Sequence, residues 1–436
     1  MRGAAEPSSA RRLRAEVLLL LGLAFLVRIG LVIATPDATP AVDAIDYDRI
    51  AHSLAQGDGF PASVLAAGGG PTALRPPVYP ALLAGVYAVV DDHVAARAVQ
   101  AVIGTATVGF VGVLGGQLLG RRVGLVAMAI AAVYPPLILL DSALLSESLF
   151  VALMLAAMAA GFAARSSPAI FRWAAASGAL VGLAVLTRQN GVLLLLPVIG
   201  AIASARTIPR QRRLRACAAV VAVALLMVLP WTVRNAVEFD AFVPVATQSG
   251  LLLAGTYNDE ARLDPRLPGA WRPPDTQREY SALFADPALN EAELDSELRE
   301  RALRYARRHP EYVLRSWVRR FVWMLHLGGG DVERLSDADR NIVGDLGDAS
   351  RWGFYVVAVL ALAGAFTRPA RAAPWYFWLT GALLLVSGVA LAGLIRYRSI
   401  VDPFLVLLAA SAVIAAADRL RGTRRTAAPA KPASRV

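Results

Sequence analysis

Long apolar runs recur along most of this sequence, and they constrain the fold more than any other feature. Ten of them have the length of roughly 15 to 25 residues that a helix needs to cross a bilayer. A spanning β-barrel would instead show short segments of alternating hydrophobicity. The sequence therefore predicts an all-α polytopic membrane protein with about ten transmembrane helices, at residues 17–34, 94–118, 123–140, 147–164, 170–187, 190–205, 216–232, 352–366, 374–392 and 400–417.

The composition agrees with a membrane protein. Of the 436 residues, 56% are hydrophobic, and the mean hydropathy of +0.52 is too high for a soluble chain of this size. The formal net charge of +11 is compatible with a nucleic-acid partner. The basic residues, however, cluster in short loops between the apolar runs, which is how membrane proteins establish their orientation. We therefore expect membrane lipids, and no nucleic acid, as partners.

The arginine clusters predict the topology. Short loops rich in basic residues lie on the cytoplasmic side of a membrane. With ten spans every cluster falls on one side, so we expect a multi-pass protein of the cytoplasmic membrane with both termini in the cytoplasm. The clusters are Arg11, Arg12 and Arg14; Arg121 and Arg122; Arg165; Arg206, Arg210, Arg212, Arg213 and Arg215; Arg368 and Arg371; and Arg419, Arg421, Arg424 and Arg425.

Two further apolar segments are interpreted as helices on the membrane surface. If residues 77–90 crossed the bilayer, the downstream arginine clusters would change sides. Residues 311–327 place their apolar side chains on one helical face, with Arg315 and Arg319 off it. That pattern is typical of an interfacial amphipathic helix.

The span positions divide the chain into four parts. The predicted parts are a transmembrane catalytic module at 1–232 with a first outer loop at 35–93, an extracytoplasmic and interfacial region at 233–350, the last transmembrane helices at 351–420, and a disordered cytoplasmic tail at 421–436. In the second part, Asn290 and Glu293 have the spacing of a capping box. They predict a helix at about 291–308, which ends before Pro310.

Four polar features fall on the outer face, although they lie far apart in the sequence. They are the acidic first loop, LLSESL at 144–149, TRQN at 187–190 and IRYRS at 395–399. Arginine forks suit a phosphate because they donate two parallel charge-assisted hydrogen bonds. Carboxylates beside arginines at a lipid boundary indicate a reaction on a lipid-linked phosphate. The candidate catalytic carboxylates are Asp43, Asp46 and Glu147; the candidate phosphate ligands are Arg75, Arg188, Arg396 and Arg398; and Tyr47 and Tyr397 are candidate substrate contacts.

Several stretches, in this order and spacing, resemble the integral-membrane GT-C glycosyltransferases that use polyprenyl-phosphate sugars. Within them the chain is similar to the group of the lipid A aminoarabinose transferase and the bacterial protein O-mannosyltransferases. The stretches are DAIDYDRIAHSLAQGDGF at 43–60, PTALRPPVYPALLAG at 71–85, residues 97–150, LTRQNGVLLLLP at 186–197, LPWTVRNAVEFDAFVPVAT at 229–247, ELRERALRYARRHPEYVL at 297–314 and RYRSIVDPFLVLLAA at 396–410.

The resemblance implies a role for several of these residues. Asp43, four residues before Tyr47, is implied to be the general base or to orient the acceptor. Arg75 is implied to hold the donor phosphate, and Glu147 matches a second acidic position. The sequence departs from the family at Ala44, where many relatives carry a second carboxylate that Asp46 would replace. It also departs at Gln189, where a proline is common, and at GTYNDEA, residues 255–261.

The implied reaction is an inverting single displacement at the anomeric carbon of a hexose or pentose. The donor is a polyprenyl-phosphate sugar, and the acceptor is a lipid, glycan or protein on the outer face of the membrane. No cofactor is required by this chemistry. Asp43 and Glu147 are hard oxygen ligands and are compatible with a divalent cation. The arginines alone are also suited to a monophosphate leaving group.

Plainer interpretations stay open for most candidates. Aspartates cap helices, and boundary arginines reach towards lipid headgroups. Ten spans with outward polar groups are also compatible with a transporter or flippase, although transporters carry polar sites near the midplane. The plainer assignments are N-caps for Asp43 and Asp46, a solvated Asp48, outward-reaching side chains for Arg28 and Arg75, headgroup anchors for Arg396 and Arg398, and no metal ligation by any histidine.

Overall fold

The computed structural model describes residues 7–332, 334 and 345–426. Within these residues the regular structure is helical, without a β-strand, and one isolated bridge joins Ala62 to Pro71. The predicted all-α class is confirmed.

The first half of the chain contains ten α-helices and one 3-10 helix. The 3-10 helix, Gln189–Leu194, leads directly into α9. The α-helices are α1 Pro7–Ala34, α2 Asp43–Gln56, α3 Val78–Tyr87, α4 His93–Leu118, α5 Arg121–Val133, α6 Pro135–Ser142, α7 Ser146–Ala164, α8 Ile170–Val185, α9 Leu195–Ala203 and α10 Arg210–Phe239.

The second half combines short extramembrane helices with long apolar ones. A second 3-10 helix spans Pro274–Thr276. The α-helices described there are α11 Ser249–Thr256, α12 Asp259–Leu263, α13 Ser281–Phe284, α14 Glu291–Arg308, α15 Pro310–Met324, α16 Asp345–Ala365, α17 Arg368–Ala372, α18 Trp375–Leu391, α19 Ile395–Arg398 and α20 Asp402–Thr426. Residues 421–426 of the predicted disordered tail belong to α20, and residues 427–436 lie outside the described residues.

The ten predicted spans all fall on apolar helices. Six helices are long and apolar enough to cross a membrane by themselves: α1, α4, α7, α10, α16 and α20. The pair α5 and α6 passes the same test together but bends by 55°. The remaining three predicted spans lie on the shorter apolar helices Ile170–Val185, Gln189–Ala203 and Trp375–Leu391. The chain is thus a multi-pass membrane protein, and the number ten stays a prediction.

A buried arginine stabilises the bend between α5 and α6. Pro135 and Pro136 cannot donate to the carbonyls four residues earlier, so the helix breaks there. Arg28 donates to those carbonyls, at 3.4 Å from Ala131 and 3.2 Å from Ala132, and pairs with Asp141 at 2.7 Å. Arg28 therefore has a structural role, as expected, but it does not reach outward, since the residue is 2% exposed. Backbone groups freed inside a bilayer need such internal partners.

Small residues let the apolar helices approach closely. A Cβ atom on Gly178 would lie 2.5 Å from the carbonyl oxygen of Val220, so any larger residue there would push α8 away from α10. Membrane helices commonly pack through such positions. A single core cluster joins α1, α4, α5, α7, α8, α10 and α20 with neighbouring helices.

The loop between α1 and α4, which is predicted to lie on the outer face, folds against the long apolar helices rather than extending away. Helices α2 and α3 share a core cluster that includes Tyr47, Tyr79, Leu144 and Leu145. The hydroxyl of Tyr47 donates to Ser146 Oγ at 2.9 Å. Because Leu144 and Leu145 immediately precede α7, this packing brings the acidic start of α2 next to the acidic start of α7.

Two predicted helices between α10 and α16 are present, and their position relative to the membrane stays a prediction. The capping box of α14 is present, with Asn290 accepting from the N–H of Glu293 at 3.0 Å. Helix α15 leaves Leu314 and Val318 exposed on one face, while Arg320 on the other face is buried. The exposed apolar face is the one expected to lie against the membrane surface.

Candidate active site

The two aspartates of α2 lie in its first turn without capping it. The N-cap position is Val42, which has a φ of 48°, and no side chain caps the helix start. A positive φ is rare for a β-branched residue and marks local backbone strain. The alternative interpretation of Asp43 and Asp46 as N-caps is therefore wrong, and both carboxylates are available for other contacts.

Arg75 joins the two aspartates. Its Nη2 atom lies 2.6 Å from Asp43 Oδ1 and 3.0 Å from Asp46 Oδ2. The guanidinium carbon lies 5.3 Å from the ring centroid of Tyr47, within range of a cation–π contact. Tyr47 therefore contacts both the ion cluster and the start of α7.

The segment that carries Arg75 is held by a buried carboxylate from the extramembrane region. Glu291, the first residue of α14, accepts from Thr72 Oγ1 at 2.7 Å and from the N–H of Ala73 at 2.8 Å. It also accepts from the hydroxyl of Thr247. The loop is thus attached to α14 two residues before Arg75, which places the guanidinium opposite α2.

Glu147 and Arg188 form a second pair at the start of α7. The Oε1 atom of Glu147 lies 2.9 Å from Arg188 Nη1, and the glutamate side chain is fully buried. Arg188 Nη1 also donates to Ser146 Oγ at 3.1 Å. An ionised group sealed in an apolar region needs such a partner.

Arg396 connects the two pairs into one network. It donates through Nη2 to Asp43 Oδ2, and its Nε atom lies 3.7 Å from Glu147 Oε1. The guanidinium carbons of Arg188 and Arg396 each lie 5.2 Å from the ring centroid of Tyr397. The structure thus brings together eight of the nine predicted site residues.

The network contains three carboxylates and three guanidinium groups, so the formal charges of these groups sum to zero. Burial acts to raise the pKa of Asp43, but Arg75 and Arg396 outweigh it and hold that pKa well below its usual range. Burial by itself would lower the pKa of Arg75. The negative charge of Asp43 opposes this effect, and the pKa of Arg75 is raised. Asp43 is therefore fully ionised at neutral pH and a weak base while both arginines contact it.

A cavity of about 400 Å³ opens beside this network. One end is polar and the other apolar, which suits a molecule with a charged group attached to a hydrocarbon chain. The polar end presents Asp43, Asp46, Arg75, Arg188, Gln248 and Arg396; the apolar walls include Leu65, Leu251, Leu252, Leu267, Trp271, Trp323 and Leu394.

Arg398 lies away from the cavity, although it is two residues from Arg396. Its Nε atom lies 3.1 Å from Asp402 Oδ1, and Nη1 donates to the carbonyl of Met324 at 3.1 Å. The guanidinium carbon stacks 3.8 Å from the ring centroid of Phe354. The structure therefore offers no support for a phosphate-binding role of Arg398.

The carboxylates do not form a cation site in this arrangement. Among residues 7–332, 334 and 345–426, no group of three or more His, Cys, Asp or Glu side chains could hold a metal ion. Both oxygens of Asp43 contact arginines. Asp43 and Glu147 by themselves would be suitable ligands for a divalent cation. The arrangement of the residues present, with arginines against these carboxylates, does not fit such a cation.

Sequence reasoning missed several residues of the site. Gln248 and the two tryptophans of the cavity wall carry no motif, so no signal identified them. Ser146 could have been identified from the sequence, because it immediately precedes Glu147 in LLSESL. Asp48 is not merely solvated: it accepts from the Tyr87 hydroxyl at 2.7 Å and contacts His93 Nε2 at 2.9 Å.

Comparison with solved structures defines the class of the fold. The oligosaccharyltransferase AglB from Archaeoglobus fulgidus, in complex with an inhibitory peptide and a dolichol-phosphate, matches 95% of this chain with a TM-score of 0.55 and 15% sequence identity. The match covers 52% of AglB, so this chain spans about half its length. Its apo form matches with a TM-score of 0.55 and 13% identity, over 94% of this chain and 51% of AglB. The chain thus shares the fold of the matching part of these oligosaccharyltransferase structures.

A comparison of the sequence with protein families gives a match over part of the chain. Residues 74–233 match the family described as dolichyl-phosphate-mannose-protein mannosyltransferase. That range contains Arg75, Glu147 and Arg188. ArnT from Cupriavidus metallidurans, bound to undecaprenyl phosphate, is 16% identical over 96% of this chain and 81% of its own, with a TM-score of 0.43. No protein of curated function matches the sequence.

Proposed function

We propose that the chain is a glycosyltransferase that moves a sugar from a polyprenyl-phosphate donor to an acceptor hydroxyl. One observation carries the proposal: three arginines and two carboxylates line a cavity whose other walls are apolar, and a third carboxylate, the fully buried Glu147, pairs with one of these arginines outside the cavity. Such a cavity fits a phosphate with a lipid tail. The GT-C fold and the match of residues 74–233 to a mannosyltransferase family support the same reaction class.

The donor phosphate binds to Arg75, Arg188 and Arg396. These arginines reach the cavity from three separate segments, and each already contacts a carboxylate there. A phosphate entering between them accepts charge-assisted hydrogen bonds in place of Asp43. As the bond between the anomeric carbon and the phosphate oxygen breaks, the same guanidinium groups stabilise the developing negative charge.

Asp43 accepts the proton of the acceptor hydroxyl. The hydroxyl oxygen attacks the anomeric carbon, the polyprenyl phosphate leaves, and the single displacement inverts the configuration. While two arginines contact it, Asp43 is a weak base. When the phosphate takes those arginines, the carboxylate loses its cationic partners and its pKa rises. Base strength is thereby linked to the presence of the donor.

Glu147 and Asp46 keep the arginines oriented. Glu147 is sealed from solvent and contacts both Arg188 and Arg396, whereas Asp46 accepts from Nε and Nη2 of Arg75. Rigid positioning of this kind is what electrostatic stabilisation of a leaving group requires. Neither carboxylate needs to exchange a proton in this mechanism.

The site lies on the outer face of the cytoplasmic membrane, with both termini in the cytoplasm. The lipid tail enters along the apolar walls, which include Trp271 and Trp323, and α15 lies at the membrane surface beside them. The acceptor is a lipid, a glycan or a protein hydroxyl. For comparison, AglB was solved with both a dolichol-phosphate and a peptide.

Asp43→Asn tests this mechanism because it keeps the size of the side chain and removes the base. In proteoliposomes with a polyprenyl-phosphate sugar, we expect transfer to fall by about 10²- to 10⁴-fold. Binding of sugar-free polyprenyl phosphate should be retained. A variant that transfers sugar at the wild-type rate would remove Asp43 from the mechanism. Movement of lipid across the bilayer without a new glycosidic bond would instead support a flippase.

A further inference from the structure

A small side chamber of about 70 Å³ adjoins the main cavity. The two spaces share Tyr47, Arg188, Gln248, Leu252 and Tyr397, so these residues stand at the junction. The chamber continues past Arg188 between the TRQN segment and α18. Neither Asp43 nor Asp46 lines it, although both line the main cavity.

The chamber contains buried hydrogen-bond acceptors without partners. Within the described residues, Asn190 Oδ1 and Gln248 Oε1 are buried and accept no hydrogen bond. The amide nitrogen of Asn190 donates to Ser387 Oγ at 3.3 Å, which orients its oxygen away from that serine. Buried acceptors left unpaired are costly and rare in folded proteins. They indicate a ligand that brings its own donors.

We propose that this chamber binds the sugar of the donor, with sugar hydroxyls donating to Asn190 Oδ1 and Gln248 Oε1. This inference rests on the proposed use of a polyprenyl-phosphate sugar. A sugar bonded directly to the phosphate has to lie next to the phosphate-binding arginines, and Arg188 lines both spaces. The chamber accepts the hydroxyl-bearing edge of the ring, and the anomeric carbon stays at the junction.

The position of Asp43 separates this sugar site from the acceptor site. An inverting displacement needs the acceptor on the side of the anomeric carbon opposite the phosphate. The acceptor hydroxyl must also reach Asp43, which faces the main cavity and not the chamber. The acceptor therefore enters through the main cavity. Asn190 and Gln248 select the donor sugar, because a site built to pair hydroxyls rejects an analogue that lacks them.

The test compares the binding of two kinds of lipid in nanodiscs. The probes are sugar-free polyprenyl phosphate and a panel of polyprenyl-phosphate mannose, glucose, galactose and arabinose. The variants are Asn190→Leu and Gln248→Met, the second nearly equal in shape to glutamine. The control is Gln117→Met in α4, where the amide donates to Ala159 and is remote from the chamber. Thermal unfolding confirms that each variant is folded.

We expect at least one sugar lipid to bind the wild-type protein more tightly than the sugar-free lipid. Each chamber variant should reduce that preference by about tenfold, because a sugar hydroxyl loses its buried partner. Affinity of Asn190→Leu for the sugar-free lipid should be unchanged, because Asn190 does not line the main cavity, and Gln117→Met should behave as wild type. A preference that survives both chamber variants, or no preference for any sugar lipid, overturns the chamber assignment. Failure of the wild type to bind sugar-free polyprenyl phosphate overturns the proposed function itself.

Discussion

Arg396 and Arg398 lie two residues apart on α19, and both are buried, yet they belong to different regions of the molecule. Arg396 faces the cavity and connects Asp43 with Glu147. Arg398 points into the helix bundle and is enclosed by Asp402, the carbonyl of Met324 and the ring of Phe354. Burial alone therefore does not separate functional from structural arginines. What separates them is whether the contacts border a space that a ligand can enter.

The largest effect is expected at Arg396. Arg396→Gln removes one of the three donors aimed at the leaving phosphate, and loss of one such donor costs about 10²- to 10³-fold in rate. Sugar transfer in proteoliposomes and affinity for polyprenyl phosphate both report the loss. The melting temperature should change little, because Asp43 keeps Arg75. Normal transfer with a lowered melting temperature would place Arg396 in the structural group with Arg398.

The opposite result is expected at Arg398. Arg398→Gln leaves Asp402 as an unpaired carboxylate in the bundle, and breaking a buried pair costs about 3–5 kcal/mol. Thermal unfolding in detergent measures this loss. The double variant with Asp402→Asn should recover much of the stability, because no unpaired charge then remains. If the folded fraction of the single variant also failed to bind polyprenyl phosphate, the distinction between the two arginines would collapse.

A third polar cluster differs from both because it contains a histidine whose pKa is raised above its ordinary value. His52 Nε2 lies 2.8 Å from Asp91 Oδ1, and Nδ1 lies 2.8 Å from the carbonyl of Asp48. Burial acts to lower the pKa of His52, but contacts with Asp48 and Asp91 outweigh it and raise that pKa above 6.5. The titratable groups that face His52 are Asp48, Tyr87, Asp91 and His93.

The sign of this effect follows from the raised pKa. The stabilisation by protonated His52 is complete below pH 6.5 and is lost as the pH rises through the raised value. We expect the melting temperature to fall as the pH rises from about 6 to 8, and His52→Gln to flatten that dependence. An unchanged slope in His52→Gln would exclude this cluster as the cause.

The smallest effect is expected at Val42, where the cavity region stores backbone strain. The φ of 48° costs a valine roughly 1–3 kcal/mol, and glycine adopts this conformation readily. Glycine also loses more entropy on folding, so Val42→Gly should gain only about 1 kcal/mol. Thermal unfolding measures the gain, and sugar transfer shows whether the strain positions Asp43. A destabilised variant would mean that packing of the valine side chain outweighs the strain.

Much of the site could be predicted because its residues stand beside spans. Asp43, Glu147, Arg188 and Arg396 each lie next to a predicted span on the same side, and the structure brings them together. Arg398 also lies beside a predicted span on that side, but its side chain does not reach the site. Position relative to a span does not determine the direction of a side chain on a four-residue helix. Residues such as Gln248 lie in irregular segments, where no period or motif indicates which side chains face a cavity.

The sequence by itself determined the class of fold and the expected sidedness. A bilayer applies a one-dimensional constraint, so apolar length and loop charge are read directly along the chain. Tertiary structure alone decided the pairings. Arg396 and Asp43 are 353 residues apart, and they meet only because α2 packs against the start of α7 and α19 closes over it. Such contacts depend on the packing of distant helices, and no local pattern encodes them.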